Sequence, residues 1–152
     1  MTSHQTIVDA AFVVAGANAL VAAWGALRWW RDPAGRGFWI ALRAGQVVAG
    51  IFGIAAAALW LAGHRASQEL FYLYALLPIA IGLVAEQLRI ATADQVLAAR
   101  DLDGARAMAA LGDEEQRSIV IEIMRREIGV MALAALVVCF LALRAAATAQ
   151  GI

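Results

Sequence analysis

Any chemistry of this chain starts with four of the polar side chains that stand inside its predominantly apolar runs. Arg43 and Gln46 are three residues apart, so on a helix they share a face, with Gly50 one turn further on. Glu86 ends another run, in the stretch IGLVAEQLRI, and Arg89 follows it three residues later. Asn18 lies near the centre of a third run. A carboxylate at low dielectric is a proton or cation ligand, and a guanidinium there is an anion-facing partner. An Asn in the same setting either hydrogen-bonds a neighbouring helix or lines a permeation path. The structural alternative for Arg43 and Glu86 is an ion pair at the membrane edge. Arg43 lies five residues inside a run that begins near Phe38, roughly 7–8 Å at 1.5 Å per residue. Glu86 lies three residues short of Arg89, roughly 4–5 Å by the same rise. Antiparallel neighbours bring such matched depths together.

Other chemistry finds no support in the residues. His4 and His64 are far apart, the single Cys139 sits in an apolar run, and there is no CxxC or HExxH spacing. No GxGxxG or Walker-type phosphate loop occurs, nor a Ser/His/Asp arrangement, so no catalytic, cofactor or metal site is expected and the chain does not read as an enzyme. Twelve basic residues, all Arg, balance twelve acidic ones, which argues against a nucleic-acid binder. No motif specific to one family is present.

The elements that position these groups follow from hydropathy. The 152 residues are 63% hydrophobic, with a mean hydropathy of +0.74, where soluble domains hold about 45–50% apolar residues. Four apolar runs, about 7–27, 38–61, 70–89 and 128–147, each approach the ~20 residues that cross a hydrocarbon core as a helix. The alternation of a barrel strand is absent, which leaves helices as the spanning form. The expected fold is a single all-α integral membrane domain over 1–152, with four transmembrane helices in an antiparallel bundle. Nine Arg fall in the loops around 28–37 and 88–127 against two on the other side. The positive-inside rule then puts both termini outside, in a multi-pass protein of the plasma (inner) membrane. Trp24, Trp29, Trp30 and Trp39 mark the inner boundary, and Trp60, Phe71, Tyr72 and Tyr74 the outer one.

Residues 90–127 are too patterned for a linker and read as a cytoplasmic helical hairpin that extends helices three and four. Asp103 is the expected N-cap of a short helix. Asp113 is the expected N-cap of the next, with Gln116 at capping-box spacing. Ile119, Ile123 and Met124 form an apolar stripe, a candidate cytoplasmic interaction surface. Gly45, Ala49, Gly53 and Ala57 recur every four residues, a small-residue face for close packing inside one bundle or between copies. Pro78 interrupts the third run near its middle and predicts a kink.

The leading expectation is a structural or interaction subunit, homo-oligomeric, whose partners are the bilayer, its own copies and a cytoplasmic protein, without nucleic acid or cofactor. The alternative is an oligomeric channel or transporter for a small ion or solute, using Arg43, Gln46, Glu86 and Asn18. The two differ in one structural respect. A transporter needs those polar groups on a shared cavity, and a scaffold does not.

Overall fold

The computed structural model describes residues 3–31, 33, 35–63, 68–102 and 105–151. Asp103, His64 and Arg65 lie outside the described residues. The described chain is helical throughout its regular structure: α1 (Ser3–Trp30), α2 (Arg36–Leu61), α3 (Leu70–Ala98), α4 (Ala105–Ala109) and α5 (Asp113–Ala149). Four of these, α1, α2, α3 and α5, are long and apolar enough to cross a membrane.

The helices form a four-membered ring. α5 packs most extensively, on α1 and then on α3, while α2 closes the ring by packing on both α1 and α3. Small residues make the α1–α5 seam close. Ala11, Ala15 and Ala22 of α1 and Ala135, Ala142 and Ala145 of α5 are all buried. Backbones approach where side chains are short, and dispersion then acts between the helices. Gly25 shows the limit of the approach. A Cβ there would come 2.6 Å from the Ala132 methyl and 2.7 Å from the Phe38 ring.

Two buried clusters fill the ring. One joins Val8, Ala11 and Val14 to Phe52, Phe71, Ala75 and the C-terminal half of α5. In it Phe52 meets Phe71 edge-on, with ring centroids 6.3 Å apart. The other joins Val21, Phe38, Leu42, Ala85, Ile128 and Met131. The outer surface is apolar as well: Val13, Leu20, Ile40, Ile51, Ile54, Leu73 and Phe140 are exposed. A water-soluble monomer seldom displays so much contiguous apolar surface.

Helix ends follow local chemistry, with one departure from expectation. α3 runs past Arg89 to Ala98 and stops in a Schellman arrangement. There the Leu102 amide donates to the Leu97 carbonyl and the Asp101 amide to that of Ala98, with Asp101 in the left-handed region at φ 54°. α5 starts one residue earlier than a capping box at Asp113 requires. Gly112 is the N-cap, Asp113 opens the first turn beside Glu114 and Glu115, and the Gln116 side-chain Nε2 donates to the Leu111 carbonyl at 2.9 Å. Three carboxylates in the first turn suit the positive helix end, so the cap is electrostatic rather than a reciprocal side-chain pair. α5 then continues unbroken through the fourth apolar run to Ala149.

Candidate functional site

Arg43 stands two turns into α2 and reaches across to α3. Its Nη1 donates to Glu86 Oε1 at 2.5 Å and to Gln46 Oε1 at 2.7 Å. Gln46 Nε2 also approaches Glu86 Oε1, at 3.4 Å. The i, i+3 spacing puts Arg43 and Gln46 on one side of α2, so both point at the same carboxylate.

Glu86 has a second partner that the runs alone do not reveal. Arg89 Nε donates to Glu86 Oε2 at 3.0 Å, and its Nη1 lies 3.7 Å from Glu127 Oε1 on α5. The Arg89 guanidinium also rests over the Trp39 ring, 5.6 Å from its centroid. The result is an alternating chain, Arg43–Glu86–Arg89–Glu127, that ties α2, α3 and α5 together at one level. The signals for the extra members were the i, i+3 spacing of Glu86 and Arg89 and the position of Glu127, the last acid before the fourth apolar run.

Asn18 is 3% exposed. Its amide Nδ2 donates to the Val14 carbonyl of its own helix at 2.9 Å, not to a neighbouring helix as a packing role would have it. Its Oδ1 accepts no protein hydrogen bond among the described residues. A Cβ placed on Gly45 would lie 3.4 Å from that Oδ1, so the Asn side chain packs against α2 at this glycine.

These four groups share one cavity of about 280 Å³, lined from all four long helices. It sits where the two buried clusters meet. Asn18, Arg43, Gln46 and Glu86 form one end, and Ala49, Gly50, Pro78, Ile79 and Val138 the other. Pro78 removes the amide that would otherwise bond the Tyr74 carbonyl, which loosens α3 on the cavity side. Gly50 and Gly82 also line the space, and a Cβ on either would meet nothing within 4 Å. A larger apolar groove, about 770 Å³, runs along α1 and α5 from Ala19 and Leu136 to Trp29 and Arg126.

The remaining candidates are placed as follows. Gly45 and Ala49 are buried, Gly53 is buried against Ala75 and Ile79 of α3, and Ala57 is half-buried, so this small-residue face is taken up within the chain. Ile119 is fully buried, while Ile123 and Met124 are half-buried. The stripe expected to stand exposed is therefore partly enclosed by the chain itself. Beside it Arg100 bonds Glu122 at 2.7 Å and Arg126 bonds the same carboxylate at 2.9 Å, which links the end of α3 to α5.

Comparison of the chain with family models, with curated proteins and with solved structures finds no match.

Proposed function

We propose that the protein is an integral membrane transporter that binds a small solute in the cavity between its four long helices. In this reading α1, α2, α3 and α5 cross the plasma (inner) membrane as an antiparallel bundle with both termini outside. The ends of α3 and α5 form a cytoplasmic hairpin.

The antiparallel arrangement is supported by the contacts: Arg43 meets Glu86 while Gly53, further along α2, meets Ala75 and Ile79, earlier in α3. The orientation is supported by the Arg asymmetry of the loops. The observation that carries the function is that Asn18, Arg43, Gln46 and Glu86, from three helices, line one cavity. A scaffold has no use for polar groups converging on a hollow, whereas a solute site requires them. The cavity ends against the cluster around Phe52, Phe71 and Val138, which supports reading it as closed toward the side taken here as the outside. Transport then consists of loosening that cluster while the polar end closes.

Reconstitution into liposomes tests the reading. Wild-type protein should accelerate the collapse of a gradient of at least one solute in a panel of small organic anions, cations and zwitterions. Glu86→Gln and Arg43→Gln should each slow it about tenfold or more, with the helical circular dichroism retained. Equal rates for wild type, both variants and empty liposomes across the panel would refute it.

A further inference from the structure

The cavity is amphipathic along its length, and this fixes the kind of molecule it suits. Its polar groups gather toward the Arg43–Glu86 end, with Gln46 and Asn18 set somewhat deeper. From there seven residues of α2 lead to Gly50 and eight of α3 to Pro78, roughly 10–12 Å at 1.5 Å per residue. Beyond Asn18 and Gln46 that distance is lined by carbon.

At the polar end, among the described residues, the unspent groups are N–H donors of Arg43 and one amide oxygen, Asn18 Oδ1, while the Glu86 carboxylate is fully engaged. Glu86 has both oxygens engaged, one by Arg43 and one by Arg89. Arg43 spends only Nη1 on Glu86 and Gln46, and among the described residues its Nε and Nη2 have no protein partner. A saturated carboxylate is a poor cation ligand, while a guanidinium with spare N–H groups recognises a carboxylate or phosphate.

The cavity also opens sideways. Leu83 lines it yet is 66% exposed, and Arg43 at its polar end is 54% exposed. Gly50 and Gly82 stand on either side of the α2–α3 seam with nothing against them. That seam faces the apolar outer surface, which the proposed topology places in lipid.

We infer that the cavity takes a single-chain amphiphile with an anionic head, drawn laterally from the bilayer between α2 and α3. The head lies on the free N–H groups of Arg43, and the chain runs past Gly82 and Gly50 toward Pro78. This rests on the solute-binding reading above and names its substrate class.

Thermal unfolding of the protein in nanodiscs of zwitterionic phosphatidylcholine provides the test. The probes are decanoate, acetate (the same head without the chain) and decyltrimethylammonium (the same chain with the opposite charge). At about ten times its dissociation constant, decanoate should raise the wild-type Tm by roughly 3–6 °C. Acetate and decyltrimethylammonium should not. The shift should vanish in Arg43→Gln. It should also vanish in Gly82→Leu and, should that variant fold poorly, in Gly50→Val; both fill open space. A shift with acetate equal to that with decanoate, lost in Arg43→Gln, would overturn the amphiphile and leave the solute site standing. An equal shift with decyltrimethylammonium would overturn the anionic head. A decanoate shift that persists in Gly82→Leu and Gly50→Val would mark mere partition into the bilayer, and the absence of any shift would equally refute the inference. In these last two cases the solute reading is judged by its flux assay alone.

Discussion

Gly53→Ala and Gly50→Ala are the same chemical change one turn apart, at least in spacing, and the structure predicts opposite outcomes. A methyl at residue 53 would lie 2.9 Å from Ile79 Cδ1 and 3.1 Å from the Ala75 carbonyl oxygen. The Ile tip swings away at little cost, but the carbonyl belongs to the α3 backbone and yields only if the helices part. Overpacking of this kind costs about 1–3 kcal/mol. Against it stands the helix preference of Ala over Gly, about 1 kcal/mol. Gly53→Ala should therefore lose about 0–2 kcal/mol. Gly50→Ala meets nothing within 4 Å and keeps only the propensity gain, up to about 1 kcal/mol. The gap between the two is about 2 kcal/mol at mid-range, or about 4–8 °C in Tm for a chain of this size. Tryptophan-fluorescence melts of both variants in one detergent measure it directly. Coincident melts, or Gly53→Ala melting above Gly50→Ala, would refute the claim that α2 and α3 touch backbone to backbone at residue 53.

Three further outcomes are expected. Glu86→Gln and Arg43→Gln should each destabilise, and the double variant should lose less than the sum by about 0.2–1 kcal/mol, the range for a half-exposed pair; strict additivity in the same melts would mean the residues do not interact. Amides of 114–127 should exchange slowly with deuterium, because Ile119 is buried and Arg100 and Arg126 both hold Glu122; exchange at unstructured rates would show that this part of α5 is not a stable helix. In intact cells, after Cys139→Ala, an impermeant thiol reagent should label Ser3→Cys and leave Ser118→Cys untouched. The reverse pattern would invert the proposed topology.

The four apolar runs were legible because a bilayer-length stretch has few alternative readings, and α1, α2, α3 and α5 each contain one. Helix continuity was legible too: the periodic residues after Arg89 and before Ile128 belong to α3 and α5. Pairing of Arg43 with Glu86 followed from matched depth. What depth does not give is azimuth, the direction each side chain takes around its helix. Hence the inward turn of Ile119 and the backbone bond of the Asn18 amide to Val14 escaped a reading by spacing. The same holds for Gly45, whose neighbour is a polar side chain rather than another copy. Arg89 and Glu127 went unread as site members because each looked like an ordinary end-of-helix charge. Only the ring arrangement sets them 3.7 Å apart.

α5 has one more consequence. Its 37 residues make a shaft of roughly 55 Å with no proline in it, and its single interior glycine, Gly129, is braced by the Trp29 ring. The shaft carries Glu122 near one end and the cavity wall residues Met131, Ala134, Ala135 and Val138 further along. The rod has no proline at which to kink. A roll of roughly 30° imposed at Glu122 would carry every Cα on its 2.3 Å radius through about 1 Å. Met131 and Val138 would sweep across the hollow by more than that, since their side chains reach further from the axis. A roll of α5 would thus reach the space between the helices with no proline hinge in the way. Whatever grips the far end of α5 holds the handle of the cavity.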